Sequence, residues 1–394
     1  MNTNSKYFVS LISAYLNGNA PKAETGIDWN EIYRLSKIHN VTAVIAYEAG
    51  LLQEAFRPEK EIYSILRQQL GYTVINYEEK LKAKKGISDF LDENNIDYMF
   101  IKGAILCNYY PIKEFRTSGD IDIIVRQSDF DKLKKAVFKA EEKQKFCRLQ
   151  TGDKNEISLS YNNIHIEIHN TNGLDNDYFK NIFDISDHSG NEYFISDKLH
   201  LVYVICHIAK HFNYYGAGIR MFMDIDILAR HLDEETLLSA LKICKQLGLD
   251  VFAKTCISIC RYWFDTPINT DYDIHKNSEI REIFENEVLN FGTFGKNGKS
   301  LTDFYLIAGV SNSTNKKAYK LKGIIRFIFP DIKYLKLRYS FLEKHEFLLP
   351  AAWVLRIGEG ITKRNKHSKE TLNAIVNSSK TSDDYIKLIK ELDI

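Results

Sequence analysis

Two aspartates separated by one residue, Asp120 and Asp122, are the strongest candidates for chemistry in the sequence. They lie in Asp-Ile-Asp-Ile-Ile-Val, an alternation with period two that is typical of a β-strand. In a strand both carboxylates point to one face, about 6.6 Å apart along the chain. Carboxylates so placed repel each other unless a cation lies between them. The pair therefore indicates a cation site, although a solvated pair at a strand edge shows the same pattern.

The same tripeptide occurs again as Asp224-Ile225-Asp226 and provides an internal comparison. The surrounding residues 220–231 have the apolar spacing of a helix. Residues two apart on a helix lie about 200° apart around its axis. The second pair therefore cannot share one ion in the way that the first pair can.

A third acid, Glu167, lies in a later alternating segment, residues 164–169. Its three isoleucines share one face, while His165, Glu167 and His169 share the other. If this strand pairs beside the first one, three carboxylates converge on one place. Oxygen ligands suit Mg²⁺, which binds through a few carboxylates together with substrate phosphates. Two ions about 4 Å apart can align an attacking oxygen with a pyrophosphate leaving group.

The two histidines of this segment offer a different interpretation. His165, Glu167 and His169 together would form a transition-metal site with two imidazoles and one carboxylate. That interpretation gives no function to the two aspartates on the other strand.

A glycine, Gly103, ends the strand predicted for residues 96–103. Its lack of a Cβ allows a backbone amide to approach a phosphate, and the short helix predicted for 104–110 would add positive potential at its N-terminus. A simple turn would explain the glycine equally well.

The residues around these acids resemble the uncharacterised nucleotidyltransferase family of the polymerase-beta-like superfamily. That superfamily combines a turn containing glycine, an Asp-x-Asp strand and a third acid on a later strand. The matching segments are Lys102-Gly103-Ala104, Tyr110-Pro111, Arg116, Gly119–Val125 and Ile166-Glu167-Ile168-His169. Further matches are His207-x-x-x-His211, Arg220, Asp224 and Phe347–Arg356.

The resemblance implies a magnesium-dependent enzyme that transfers NMP from an NTP, with ATP the expected NTP, to an acceptor hydroxyl and releases pyrophosphate. Two Mg²⁺ ions and the catalytic function are expected at Asp120, Asp122 and Glu167. Nucleotide binding is expected at Lys102, Gly103, Ala104, Arg116 and His211, supported by His169, His165 and Asp224. Asp224 could line the cleft, or it could be a buried partner of Arg220 or His211.

One position departs from active members of the superfamily, which commonly carry Gly-Ser in the turn. Here Ala104 follows Gly103, so the turn has no hydroxyl for the phosphates. This departure leaves a second hypothesis, a non-catalytic module that binds nucleotide or docks a partner. The acceptor is left open as a small molecule, a protein or RNA, and the sequence does not indicate an oligomeric state.

The whole sequence is consistent with an α+β protein whose small mixed sheet, of the nucleotidyltransferase type, has helical regions before and after it. The 394 residues are 44% hydrophobic and carry a formal charge of +1, which excludes a disordered chain and gives no reason to expect general nucleic-acid or membrane binding. No apolar run approaches the roughly 20 residues of a membrane span, and no signal peptide is recognised. We therefore expect a cytoplasmic protein.

Four regions are predicted: an N-terminal helical region (1–92), a nucleotidyltransferase-like α/β core (93–195), a helical domain lining the cleft (196–290) and a basic helical region (291–394). The first region is predicted to contain helices Lys6–Leu16, Asp28–Tyr47 and Glu59–Asp92. In residues 316–366, Lys and Arg outnumber Asp and Glu by thirteen to four. This excess is typical of the solvated faces of amphipathic helices, although it would also suit a polyanion such as RNA.

Overall fold

The computed structural model describes residues 1–142, 146–149, 155–174, 176–214, 216–268, 274, 277–292, 325, 328–330, 332, 335, 339, 341–362 and 380–394. Within these residues the chain has one mixed sheet with helices around it, which confirms the predicted α+β class; the nucleotidyltransferase type of the sheet stays a prediction. Two compact units are present, one of residues 1–212, 216–294 and 392–394, and one of residues 213–215 and 295–391. The division into four regions stays a prediction.

The described helices are numbered here in chain order. They are α1 Thr3–Asn17, α2 Trp29–Ile38, α3 Thr42–Leu51, α4 Lys60–Glu93, α5 Gly103–Leu106, α6 Phe130–Glu142, α7 Asp197–Tyr214, α8 Ile219–His231, α9 Glu234–Gln246, α10 Asp250–Phe264, α11 Ser278–Phe291, α12 Phe341–Lys344, α13 Leu349–Thr362 and α14 Lys380–Leu392. None of these described helices has both the length and the hydropathy that a membrane crossing requires.

The described residues contain seven strands, which form one sheet in the order β3-β4-β5-β2-β1-β7-β6. They are β1 Tyr98–Ile101, β2 Asp120–Val125, β3 Cys147–Leu149, β4 Glu156–Tyr161, β5 Ile164–Asn170, β6 Asp187–Ser189 and β7 Glu192–Phe194. Strand β2 is antiparallel to β1 and parallel to β5. The end of β1, the start of β2 and the middle of β5 therefore meet beside one another.

One face of the sheet packs against α4 and α6. The alternating apolar residues of β2 and β5 lie in this core with apolar side chains of both helices. On β5 the burial alternates from residue to residue, with the three isoleucines of residues 164–168 buried. Because strand side chains alternate between faces, Asp120 and Asp122 point away from this core.

Strand β5, which includes the predicted alternating segment 164–169, forms a hairpin with β4. Strands β4 and β5 pair from Tyr161↔Ile164 onward, so the turn contains only Asn162 and Asn163. Both turn residues have positive φ values, 47° and 67°. Asparagine accepts this left-handed conformation more readily than other residues with a side chain, which is why two asparagines suit a two-residue hairpin turn.

The single helix predicted for Asp28–Tyr47 is wrong, because the structure divides it into α2 and α3. Helix α2 ends at Ile38 with His39 as its C-cap, and Asn40 has a φ of 54°. The amide of Val41 donates to the carbonyl of Ser36, which satisfies a carbonyl left over at the end of α2. The left-handed tendency of asparagine therefore ends the helix, although the apolar periodicity continues through the break.

The second unit contains a small apolar cluster of its own. Leu335, Leu342 and Ala352 are buried together, and the indole of Trp353 donates to the carbonyl of Pro330 (2.9 Å). Eleven of the thirteen Lys and Arg residues of segment 316–366 lie outside the described residues, so the choice between solvated helix faces and a polyanion-binding surface stays open.

Candidate functional site

The pairing of β2 with β5 brings acidic residues from two strands together. In the parallel register, Asp122 lies beside Glu167 and Asp120 lies beside His165. This adjacency follows from the sequence because both strands alternate isoleucines toward the core with polar residues on the other face. The condition for the predicted carboxylate cluster, direct pairing of these two strands, is met.

Asp122, Glu167 and His169 form a group that could hold a metal ion. Each offers one ligand atom, and these atoms lie within 4.8 Å of one another. The Nε2 atom of His169 is 3.8 Å from Oδ1 of Asp122 and 3.7 Å from Oε2 of Glu167. Two carboxylates and one imidazole therefore converge, which differs from the two-histidine site considered above.

His165 is less closely integrated. Its Nδ1 lies 3.5 Å from Oε1 of Glu167, and more than a third of its side chain is exposed. The other ring nitrogen of His169, by contrast, faces Oε2 of Glu156 at 3.7 Å. His169 is thus surrounded by three carboxylates, two at Nε2 and one at Nδ1.

The charges of this cluster depend on one another. Burial opposes the charged form of His169, but the contacts with Asp122 and Glu167 outweigh it and raise the pKa of the imidazole to about 9. Burial also acts to raise the pKa of Asp122, yet Lys102 and His169 hold it well below its ordinary value. Asp120 has a raised pKa, because it is partly buried and lies close to the negative charge of Asp122.

Lys102 lies at the end of β1 and reaches this cluster. Its Nζ donates to Oδ1 of Asp122 at 2.8 Å. The backbone of Lys102 has a φ of 50° and a ψ of −129°, a conformation that is costly for a residue with a Cβ. Such strain is frequent where a side chain has to be held in a functional position.

Gly103 follows Lys102 and packs closely against the loop before β2. A Cβ added at Gly103 would lie 2.9 Å from Cβ of Ser118 and 3.0 Å from Nη1 of Arg116. The glycine is therefore required for close packing in the structure. Ala104 packs against the core of the sheet, and its carbonyl accepts a hydrogen bond from Nζ of Lys84 at 3.2 Å.

Arg116 is buried in an ion pair with Asp224. The guanidinium donates through Nε and Nη2 to the two carboxylate oxygens, at 2.8 and 2.7 Å, and the Tyr110 hydroxyl donates to Oδ1 at 2.7 Å. Asp226, two residues farther along α8, contacts Arg230 and Thr266 instead. The two aspartates of this tripeptide thus point in different directions, as the helical spacing predicts.

Residues of β2, β5, α7, α8 and the loop before β2 line a cleft of about 290 Å³. Most of the predicted site residues lie on it, whereas Ala104, His165 and His169 are not part of its lining. The ring of His211 lies against that of His207, with 4.4 Å between their centroids. The lining comprises Lys102, Gly103, Leu106, Arg116, Ser118, Gly119, Asp120, Asp122, Glu167, Val204, His207, Ile208, His211, Arg220, Met221 and Asp224.

Two basic residues that sequence reasoning did not assign to the site hold the loop before β2. Lys80 of α4 donates to the carbonyl of Ser118 and to its hydroxyl (2.8 Å). Arg220 of α8, 8% exposed, donates through Nη1 to the carbonyl of Thr117. Only the family resemblance included Arg220, and no local signal in the sequence marks Lys80.

Comparison with known families agrees with the geometry of this cleft. A family model described as an uncharacterised nucleotidyltransferase matches residues 25–265. The chain belongs to the uncharacterised nucleotidyltransferase family. The match includes helices α2, α3 and α4 before the sheet, as well as Asp120, Asp122 and Glu167. Membership in this nucleotidyltransferase family implies a nucleotide substrate.

No match is found among curated proteins, and none is found among solved structures.

Proposed function

We propose that this protein is a magnesium-dependent nucleotidyltransferase that transfers NMP from an NTP, with ATP the expected donor, to an acceptor hydroxyl. The observation that carries the proposal is the register of β2 and β5, which sets Asp122 beside Glu167 on a cleft that Lys102 also lines. The sheet would then be the nucleotidyltransferase-type core, and the helices would supply the walls of the cleft.

The charge of the cleft supports a substrate that arrives with metal ions. Its lining contains three side chains of fixed positive charge and four carboxylates, so it is slightly negative when histidines are counted as neutral. A free triphosphate would be repelled by the carboxylates, whereas divalent cations would reverse the sign of the potential. The positive side chains are Lys102, Arg116 and Arg220, and the carboxylates are Asp120, Asp122, Glu167 and Asp224.

The donor set suits Mg²⁺ ions held by Asp120, Asp122 and Glu167. Their carboxylates are hard oxygen ligands. The pKa of Asp120 is raised by burial first and by the charge of Asp122 second, and a cation there would relieve the repulsion between the two carboxylates. When bound, the ions would neutralise and orient the triphosphate. His169 belongs to the same group, but its raised pKa keeps the imidazole protonated near pH 7, so its nitrogen could bind an ion only after losing that proton.

In the reaction that we propose, the acceptor oxygen attacks the α-phosphorus of the NTP. A new P–O bond forms, the bond between the α-phosphorus and the bridging oxygen breaks, and pyrophosphate leaves. The acceptor proton passes to a carboxylate oxygen of Glu167. Lys102 and Arg220 bind the phosphates, and most of the rate comes from positioning and charge stabilisation.

An assay of Mg²⁺-dependent NTP binding tests the proposed nucleotide site. Thermal melting is measured with each NTP, with and without Mg²⁺, and we expect ATP with Mg²⁺ to raise the melting temperature. Asp122→Asn should abolish the shift, whereas Asp226→Asn, which changes the buried aspartate of the second Asp-Ile-Asp, should retain it. If no NTP gave an Mg²⁺-dependent shift in melting temperature, the proposal would be excluded.

A labelling assay tests transfer itself. The protein is incubated with NTP labelled at the α-phosphate and with fractionated cell extract, and label in an acceptor should appear together with pyrophosphate. The acceptor class, a small molecule, a protein or RNA, is identified from the labelled fraction. Asp122→Asn protein should give no label.

A non-catalytic nucleotide-binding or docking module is the second candidate. Ala104 favours it, because this residue packs against the sheet core and offers no hydroxyl for a phosphate. Tight Mg²⁺-dependent binding of NTP, without pyrophosphate release in any extract fraction, would support the module over the enzyme.

A further inference from the structure

The strained backbone of Lys102 is held by a residue distant in sequence. The Lys102 amide donates a hydrogen bond to Nε2 of His200 at 3.1 Å. His200 belongs to the first turn of α7 and is 1% exposed. The contact therefore connects helix α7 with the point where β1 passes into α5.

The protonation of His200 fits this contact. Burial lowers the pKa of the imidazole to about 4, so the ring is neutral near pH 7. Because Nε2 accepts the Lys102 N–H, the proton of the neutral ring lies on Nδ1. Among the described residues Nδ1 has no hydrogen-bond partner. The one hydrogen bond that the ring makes in this part of the chain is therefore to Lys102.

We propose that His200 is a positioning residue that fixes the backbone of Lys102 so that its ammonium group stays over Asp122 and the nucleotide phosphates. This inference rests on the nucleotide-binding function proposed above. Lys102 lies in a left-handed conformation that residues with a Cβ avoid, so an external partner is needed to hold it. The amide hydrogen bond supplies that partner, and the ammonium of the same residue contacts Asp122.

A purely structural function would predict something different. If His200 only filled space beneath the cleft, its replacement by an apolar residue of similar volume would lower stability without specifically releasing the Lys102 amide. If His200 holds Lys102, loss of the acceptor nitrogen is the decisive change. Glutamine, whose side-chain oxygen can accept a hydrogen bond, should then substitute for histidine where leucine cannot.

Amide hydrogen exchange tests the contact without requiring any activity. Exchange is followed by mass spectrometry on fragments that resolve the amide of residue 102. In His200→Leu this amide should exchange faster by about tenfold or more, while His200→Gln should keep most of its protection. His39→Leu is the matched control, because His39 is also fully buried and accepts the amide of Ile219 at 3.2 Å. Any general effect of losing a buried histidine appears in that control.

Nucleotide affinity tests the consequence. Calorimetry with ATP and Mg²⁺ should show weaker binding in His200→Leu by about tenfold, with affinity largely restored in His200→Gln. Lys102→Met should weaken binding similarly, and His200→Leu should add little in the Lys102→Met background, because both changes act through the same ammonium group.

The two assays separate the possible failures. Unchanged exchange at residue 102 in His200→Leu would overturn the inference, as would faster exchange with wild-type nucleotide affinity. If the wild-type protein bound no NTP, the proposed function would fail and the positioning inference with it, whereas the exchange data would still report on the contact itself. Melting curves of both His200 variants confirm that folded protein is compared.

Discussion

Arg116 and Asp224 form a buried ion pair through two parallel hydrogen bonds, and this pair joins the loop before β2 to helix α8. Each side chain is about 5% exposed. The pair connects residues 108 positions apart in sequence, so it fixes the side of the cleft that carries Asp120 to the side that carries Arg220. The guanidinium also donates through Nη1 to the carbonyl of Thr117 at 2.6 Å.

Removing the charge of one partner of this ion pair should lower the stability of the fold. In Asp224→Asn the buried guanidinium of Arg116 loses its counter-charge, and we expect the free energy of unfolding to fall by about 3–5 kcal/mol. Denaturant unfolding measures the change. The double variant Arg116→Met/Asp224→Leu should lose less than the sum of the single changes, because it leaves no unpaired charge. A loss below about 0.5 kcal/mol in Asp224→Asn would contradict the ion pair.

Gly103 should tolerate no larger side chain. A methyl group there would lie only 2.9 Å from Cβ of Ser118 and 3.0 Å from Nη1 of Arg116, which is closer than van der Waals contact. Gly103→Ala should therefore lower the free energy of unfolding by about 1–3 kcal/mol. Gly119→Ala is the matched control for stability, since a Cβ at Gly119 meets no atom within 4 Å. Equal thermal stability of the two variants would show that Gly103 is not closely packed.

Lys80 should be important for the loop before β2, although it lies on α4. Burial lowers the pKa of its ammonium to about 8, and its hydrogen bonds to Ser118 oppose the cost of burial. Lys80→Met keeps the aliphatic stem but leaves the carbonyl of Ser118 without this donor. We expect a loss of about 1–3 kcal/mol in unfolding free energy.

The neighbouring Lys82 provides the comparison for Lys80. It is exposed and pairs with Glu79 one turn earlier in the same helix, so Lys82→Met should change the unfolding free energy by less than about 0.5 kcal/mol. Chemical denaturation of both variants side by side makes the test. Similar values for Lys80→Met and Lys82→Met would refute a special function of Lys80.

Glu48 should make stability depend on pH. It is 1% exposed on α3, its Oε2 has no hydrogen-bond partner among the described residues, and burial raises its pKa from 4.5 to about 7. The folded chain therefore binds this proton more tightly than the unfolded chain. The stabilising contribution is complete below the unfolded pKa and is lost as the pH rises through the folded pKa.

Glu48→Gln removes this titration. Relative to the wild type, the variant should gain stability between about pH 5 and about pH 8, by an amount on the order of 2 kcal/mol. Melting temperatures of both proteins across this range provide the measurement. A difference between the two that does not change with pH would show that Glu48 titrates normally.

The sequence predicts the central part of the site because that part depends on local alternation. Isoleucines alternate with Asp120 and Asp122 on one strand and with Glu167 on the other, so the polar faces coincide once the strands pair. The pairing itself is a tertiary contact. The sequence alone does not predict it, so the carboxylate cluster is expected only if the two strands pair. The functions of these carboxylates in catalysis and metal binding stay predictions.

The residues that sequence reasoning missed reach the site from other elements. Lys80 comes from α4 and His200 from α7, and their contacts with the cleft depend on how each helix packs. Asp224 pairs with Arg116, a partner that the sequence did not suggest, because the two are far apart in the chain and no periodicity links them. Asn40, in contrast, carried a local signal for the end of α2 that apolar spacing concealed.

The uninterrupted helix α4 restricts where insertions and deletions can occur in this sequence. The helix has 34 residues, and Lys80 lies 20 positions after its first residue, Lys60. Inserting a single residue anywhere between them would rotate the two ends of the rod by about 100° relative to each other. The contact of Lys80 with the loop before β2 thus requires a fixed rotation of the helix about its axis. Insertions and deletions are therefore better tolerated beyond the ends of α4 than inside it.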